Sequence, residues 1–306
     1  NAVRERGLAK NIGVSNFNSA LMAEAVRLSA APLATNQVEY HPYLDQTKVL
    51  DAAETYGMAL TAYYAMADGK EYFRLGELSV SPDGKLMAYS YDDNGSERFE
   101  AHVRNLETGE ELKDVIPGTL SSLVWSSDNK GFVYGLANEN WRVDNAWYHK
   151  LGDEQAQDKL LYKEADIGFG VGAGLSAQED WIVLATGDNV TGEVRLIPAN
   201  NPTAEPILVS PRKEGRQYSV DIRDGVIYVL TNDDHVNFRV ATASIEKPGE
   251  WKTLIAGSDQ HYLTGVSLFK DFYVTEGRID GLDQIEIRKY EDPTFVEKLD
   301  FPEASY

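Results

Sequence analysis

Apolar positions in the first 70 residues recur with two periods. Lys10-Asn-Ile-Gly-Val-Ser-Asn-Phe17 predicts a buried strand. Asn18 or Ser19 then caps a helix whose Leu21, Met22, Ala25, Val26 and Leu28 keep the 3.6-residue repeat. Residues 33 to 40 predict a second strand. Asp45 caps another helix through Val49, Leu50, Ala53 and Tyr56, Gly57 stops it, and residues 58 to 65 predict a third strand. Strands alternating with helices at this spacing imply parallel βαβ units.

After residue 70 the helical period disappears. Short β-branched or aromatic runs alternate with turn clusters, and one punctuation recurs: Ser81-Pro-Asp-Gly-Lys85, Ser126-Ser-Asp-Asn-Lys130, Ser176-Ala-Gln-Glu-Asp180, Arg223-Asp-Gly225 and Phe269-Lys-Asp271. Their first residues lie 45, 50, 47 and 46 apart, the period of a four-stranded propeller blade. Five turns predict five blades over residues 72 to 303, each turn joining an inner strand to a second one. The predicted fold is therefore mainly β, a five-bladed β-propeller over residues 71–306 with a small N-terminal α/β segment over residues 1–70.

Composition divides at the same place. The 306 residues carry a net charge of -20, of which only -1 (6 basic, 7 acidic) belongs to residues 1–70. So acidic a second segment repels phosphate backbones and anionic lipid, which argues against nucleic-acid and membrane partners. With no cysteine there is no disulfide framework, thiolate nucleophile or Cys-type zinc site. No window approaches 18 consecutive apolar residues, and residues 1 to 10 are too charged for a signal peptide, so the cytoplasm is the expected location. The first residue is not Met, so the N-terminus reads as a truncation edge.

The candidate chemistry is sparse. His41, His102, His149, His235 and His261 show no His-Glu-x-x-His spacing, and no metal site is expected, although Asp233-Asp-His235 offers an adventitious cation position. Gly168-Phe-Gly-Val-Gly-Ala-Gly174 lacks the phosphate-loop register and reads as a crowded inner propeller strand. Trp125, Trp141, Trp147, Trp181 and Trp251 read as core. Acids alone are plentiful. Glu77 on the first inner strand and Asp221 on the fourth are expected to face a central channel. Asp233, Asp234, Glu276 and Asp280 are placed in corner loops at its rim. By architectural analogy with five-bladed glycoside-hydrolysing propellers, Glu77 and Asp221, with Asp233 and Asp234 in reserve, are the catalytic candidates: one protonated and one ionised carboxyl group make the required pair.

Two resemblances sharpen this picture. Ile12-Gly-Val-Ser-Asn-Phe17, Asn36-Gln-Val-Glu-Tyr-His-Pro-Tyr43 and Leu60-Thr-Ala-Tyr63 resemble three successive strand ends of the aldo-keto reductase (β/α)8 barrel, of the diketogluconate reductase kind. The resemblance implies that Ser15, Asn16, Gln37 and Tyr63 descend from a nicotinamide-holding set. Tyr64-Ala65 stands where that family has Ser-Pro, and the earlier strands with the catalytic Asp, Tyr, Lys and His have no counterpart here. No cofactor is expected, the NADP site being vestigial. Residues 71–306 resemble the propeller of the prolyl oligopeptidase family, oligopeptidase B in particular, through Tyr72-Phe-Arg-Leu-Gly76, Ser81-Pro-Asp-Gly84, Arg104-Asn-Leu-Glu-Thr-Gly109, Leu123-Val-Trp-Ser126, Asn237-Phe-Arg239 and Gly281-Leu-Asp283. That family's propeller has seven blades and caps a serine hydrolase domain. This chain ends about two blades earlier, and no Gly-x-Ser-x-Gly nucleophile elbow occurs in it.

The expected molecule is a chimera of two truncated genes with no complete inherited active site, a non-catalytic or weakly active propeller scaffold. Alternatives are a glycosidase-like hydrolase using the channel acids, or a binding module for peptide or basic ligands. The expected partners are a small-molecule, glycoside or peptide ligand in the channel and a second copy meeting the exposed N-terminal segment as a homo-oligomer.

Overall fold

The computed structural model describes residues 6, 9–40, 45–63, 73–292 and 295–299. His41, Tyr64, Ala65, Tyr72 and the stretch from Phe301 onward lie outside them. The chain divides into two compact units, residues 1–74 with 92–96, and residues 75–91 with 97–306.

In the first unit, β1 (Ile12–Ser15), α1 (Ser19–Leu28), β2 (Leu33–Glu39), α2 (Thr47–Tyr56) and β3 (Ala59–Tyr63) follow one another, and the strands pair in parallel in the order β1-β2-β3. Asn18 is the α1 cap, its Oδ1 accepting the Leu21 N–H at 2.9 Å. Gln46 occupies the cap position of α2. The expected Asp45 is therefore not the cap: the cap position makes no side-chain bond, and Asp45, one residue upstream, closes only a local turn, its Oδ1 accepting the Thr47 N–H at 3.0 Å and the Thr47 hydroxyl at 2.6 Å. Gly57 closes α2 with φ +67°, in the left-handed conformation that favours glycine. One sheet face, through Val14, Val38 and Leu60, packs on Met22, Val49 and Ala53. By alternation the other presents Gly13, Ser15, Gln37, Thr61 and Tyr63, all exposed.

The second unit is antiparallel throughout. Its first sheet has seven strands: β4 (Arg74–Val80), β5 (Leu86–Asp92), β6 (Phe99–Asn105), β7 (Glu111–Trp125), β8 (Gly131–Leu136), β9 (Asn145–Lys150) and β10 (Lys159–Lys163). Three four-stranded sheets follow. They are β11 (Gly170–Leu175), β12 (Trp181–Gly187), β13 (Gly192–Pro198) and β14 (Ile207–Leu208); β15 (Tyr218–Arg223), β16 (Val226–Thr231), β17 (Arg239–Ser244) and β18 (Lys247–Ile255); and β19 (His261–Leu268), β20 (Phe272–Ile279), β21 (Leu282–Lys289) and β22 (Val296–Lys298).

The seven-stranded sheet departs from the expected separate repeats. Residues 111–119 of β7 pair with β6 and residues 119–125 pair with β8, so one strand ends the first repeat and begins the second. Gly118, at φ +79°, turns the chain there without ending the ladder.

The recurring turns share one device. The hydroxyls of Ser81, Ser126 and Ser176 each donate to a carboxylate in the same turn, Asp83, Asp128 and Asp180, at 2.7 Å. A left-handed residue, Gly84, Asn129 or Glu179, then reverses the chain. Hydrogen bonds at the repeat spacing stitch neighbours together. Trp125 Nε1 donates to the Ser79 carbonyl at 3.0 Å, the Ala173 N–H to Ser122 Oγ at 3.0 Å, and the Ala177 N–H to Asp221 Oδ1 at 2.8 Å. Between these ties the apolar faces close. Trp125 and Phe132 meet edge to face at 5.5 Å beside Ile116 and Tyr134, and Ile222, Ile227 and Val229 pack on Leu196.

Three expectations are corrected here. Glu276 lies within β20, paired with Gly265 and Ile285, because the ladder runs past Gly277 to Ile279 before it turns. The glycine-rich run does form an inner strand, β11, but it is not crowded: a Cβ built at Gly172 or Gly174 has no atom within 4 Å. Of the tryptophans, Trp125 is core, whereas Trp141 is 44% exposed under the guanidinium of Arg98.

Candidate functional site

The strand ends of the first unit bring the resemblance-derived residues together. Register places Ser15 beside Gln37 and Tyr63 beside Glu39 at the carboxyl ends of β1, β2 and β3. Asn16 sits at φ +60°, a conformation that asparagine tolerates well, and its N–H donates to the Gln37 carbonyl at 2.8 Å. Ser15 Oγ donates to that carbonyl at 3.1 Å, Asn16 Nδ2 to Ser15 Oγ at 3.3 Å, and the Tyr63 hydroxyl to Asn16 Oδ1 at 2.8 Å. Gln37 is exposed, with no side-chain hydrogen bond among the described residues. Ser15, Asn16 and Tyr63 thus form one network, with an amide and a phenol ring on an open face. Such groups fit a carboxamide and a flat ring, the chemistry of one end of a nicotinamide dinucleotide.

In the second unit the inner strands β11, β15 and β19 line two adjoining cavities, of about 490 and 510 Å³, which share Ala185, Tyr218 and Ser219 as walls. Open space beside Gly172 and Gly174 widens the second. The acids in these walls are Asp188 and Asp221. Asp188 accepts the N–H groups of Val190 and Thr191, at 2.8 and 2.7 Å, which hold its carboxyl below the usual range. Asp221 is half-buried. Burial pushes its carboxyl up, against the Ala177 and Ile222 N–H groups it accepts and with a smaller push from Asp180.

The other candidates are elsewhere. Glu77 is exposed on β4, its N–H donating to Ser90 Oγ at 3.0 Å, and it is not a wall of either cavity. Asp233 is gripped by both arms of Arg239, at 2.8 and 2.9 Å, and that guanidinium holds it ionised and low. Asp234 is exposed beside it.

Sequence reasoning missed two buried polar clusters. In one, Asp114, His149 and Asp158, all at most 4% accessible, line up: His149 Nε2 is 3.0 Å from Asp114 Oδ1 and Nδ1 is 2.8 Å from Asp158 Oδ1, while the Tyr134 hydroxyl donates to Asp158 at 2.7 Å. In the other, Glu164 meets Arg212 at 2.5 Å and accepts the hydroxyls of Tyr162 and Thr186 and the N–H groups of Ala165 and Asp166. Burial works to raise Glu164, yet these donors hold it at about 2. The available signal was phase: Asp114 shares the inward face of its strand with Leu112 and Ile116, an unusual position for an acid. Among the described residues no group of His, Asp and Glu has the arrangement of a metal site, and no helix is long and apolar enough to cross a membrane.

Comparison with known proteins accounts for both units. Residues 64–305 match the prolyl oligopeptidase N-terminal β-propeller domain, and residues 1–74 match the aldo/keto reductase family. Dipeptidyl aminopeptidase BI of Pseudoxanthomonas mexicana is 31% identical over 79% of this chain and 34% of its own length. Methylglyoxal reductase DkgB of Salmonella typhi is 43% identical over 22% of this chain and 26% of its own length. Oligopeptidase B from Trypanosoma brucei superposes with a TM-score of 0.71 at 29% identity, over 78% of this chain and 34% of that one. The chain spans about a third of the length of its propeller relatives. Joined to an aldo-keto reductase fragment and matched over most of its length, this chain belongs to the prolyl oligopeptidase family through the N-terminal β-propeller domain.

Proposed function

We propose that these 306 residues perform no chemistry of their own and act as a propeller scaffold that receives a peptide in the groove lined by β11, β15 and β19. The observation that carries this reading is how the polar groups are used. Glu164, Glu193, Asp233 and Glu286 are each engaged by arginine, and no nucleophile elbow is present in the sequence. The groove offers mostly small and apolar walls, suited to an extended chain with modest side chains. A panel of chromogenic peptide, ester and glycoside substrates should give no turnover above buffer, while a fluorescent peptide should bind the protein and lose that binding in the Gly172→Leu variant, which fills the groove. Inactivation of a measurable hydrolysis by a serine-directed phosphonate would overturn the reading. On the same reading the Ser15, Asn16, Gln37 and Tyr63 cluster turns over no nicotinamide cofactor, and the protein works in the cytoplasm.

A second reading has one observation behind it. Asp221 combines burial, a raised pKa and a place on a cavity wall, the attributes of a general acid. As a glycosidase-like hydrolase the protein would need an ionised partner; Glu77 lies off both cavities, and the other acid in their walls is Asp188, whose carboxyl is held low. Activity would peak at mildly acidic pH and fall about a hundredfold in Asp221→Asn.

A further inference from the structure

Neighbouring repeats of the second unit are tied together at their turn ends. At the first joint the Asp83 N–H donates to Asn129 Oδ1 at 3.0 Å, and at the second the Ser127 N–H donates to the Ala199 carbonyl at 3.0 Å. At the third, Gln178 and Asp224 exchange two hydrogen bonds of 3.0 and 2.7 Å. The fourth joint is different. Among the described residues no hydrogen bond links the β15–β16 turn to the β19–β20 turn, and a cavity of about 500 Å³ opens between them. That volume is ordinary for a small-molecule site.

The walls are chemically specific. The Arg223 side chain is only 13% accessible and makes no hydrogen bond among the described residues. Its Nε lies 3.4 Å from Asp224 Oδ2, inside ion-pair range but without hydrogen-bond alignment. Arg216, by contrast, is bonded to Ser210 Oγ at 2.9 Å. The Arg223 Nε is buried without a hydrogen bond while the guanidinium lies 5.8 Å from the Tyr290 ring centroid, and a planar carboxylate can supply the missing acceptors two bonds at a time. Lys270 and Lys289 stand on the same cavity, without an ion pair among the described residues. Asp271 and Glu291 supply the opposite charge, likewise unpaired. Tyr228 and Tyr290 meet edge to face at 6.0 Å, and the Tyr290 hydroxyl is spent on the Phe269 carbonyl at 2.8 Å, so these rings present a fixed aromatic wall.

Balanced charge around aromatic rings selects a ligand carrying both signs. We propose that this cavity binds a zwitterionic dipeptide with an aromatic side chain. Its carboxylate pairs with Arg223, Lys270 and Lys289, its ammonium with Asp271 and Glu291, and its ring stacks on Tyr228 and Tyr290. A purely anionic ligand is disfavoured in a segment of net charge -19 (23 basic, 42 acidic). The site is independent of the peptide groove and of any reaction.

The test is calorimetric titration of the full chain with glycyl-phenylalanine, its C-terminal amide and its N-acetyl form. Saturable binding is expected, weakened about tenfold or more by amidation and by Arg223→Gln, since each removes a charge-assisted pair. The double variant Lys270→Gln/Lys289→Gln alters two exposed side chains, keeps the fold by circular dichroism, and should lose about tenfold as well. N-acetylation and Asp271→Asn/Glu291→Gln should each weaken binding by several-fold. No saturable heat up to roughly 10 mM dipeptide would overturn the proposal. So would equal affinity for the amide, or undiminished binding to Lys270→Gln/Lys289→Gln, which would place the dipeptide at another site.

Discussion

The two units treat polar side chains in opposite ways. In the first, Ser15, Asn16 and Tyr63 bond to one another on an exposed face, and the core beneath them is a single layer of apolar contacts between three strands and two helices. In the second, several carboxylates and arginines are drawn between sheets and multiply bonded, as with Glu164 and Arg212, Arg223 being an exception. An exposed network contributes little to stability, because water competes for every bond. A buried one contributes little as a whole pair but costs heavily when one partner is removed. The first unit therefore depends on its apolar layer, and the second on keeping its polar partners complete.

The largest expected effect follows for the first unit. Residues 1–74 expressed alone should show no cooperative melt, since three parallel strands leave one face and the sheet edges exposed and so short a segment buries little. A sharp monomeric transition in calorimetry would break the comparison.

Next in size is the buried pair. Arg212→Ala strands Glu164, whose side chain is 4% accessible, and should destabilise the second unit by about 3 kcal/mol in urea unfolding. This value is at the low end for buried pairs because Arg212 is 29% accessible. The pH dependence has a definite sign. Glu164 is held at about 2 against an ordinary 4.5, so its stabilisation is present above 4.5 and is lost as pH falls toward 2. Glu164→Gln should flatten the stability profile in that window. Asp221 runs the other way: its carboxyl is raised by burial, so the folded state gains stability as pH falls through the raised value. Asp221→Asn keeps an oxygen for the Ala177 and Ile222 N–H groups and should change neutral-pH stability by less than about 1 kcal/mol.

How much of this was legible in the sequence depends on whether a feature is local. The Asn18 cap, Gly57 and the strands of the first unit follow from short-range periodicity and turn chemistry and were readable, whereas the second cap fell one residue later than Asp45, at Gln46. The inner strands of the second unit were readable because Ser81, Ser126 and Ser176 announce the same side-chain-closed turn. The sharing of β7 by two repeats was not: it rests on Gly118 adopting a positive φ while the ladder continues, and Pro117-Gly118 alone reads as a break. Glu276 was misplaced for a related reason, since Gly277 resembles a turn residue until its partner strand is known. The Asp114, His149 and Asp158 alignment joins positions 35 and 9 residues apart and exists only in three dimensions. The Ser15, Asn16 and Tyr63 network was legible only through family resemblance, because nothing in its spacing distinguishes it from ordinary strand-end residues.

The same substitution made in both units gives the sharpest contrast. A Cβ at Gly13 would lie 2.6 Å from Thr35 Cγ2 and 2.7 Å from the Thr35 carbonyl oxygen, a backbone atom that cannot yield without disturbing the β1–β2 ladder. Gly13→Ala should therefore destabilise the first unit by about 1–3 kcal/mol, as overpacking does. Gly172 and Gly174 meet nothing within 4 Å, and neither has a positive φ. Alanine at either adds no clash and removes conformational freedom from the unfolded chain, so each should stabilise the second unit by about 0.4–1 kcal/mol. Opposite signs of the midpoint shift in chemical denaturation would bear this out. A loss of stability in Gly172→Ala equal to that in Gly13→Ala would mean that β11 is packed against something, and that the groove it lines is closed.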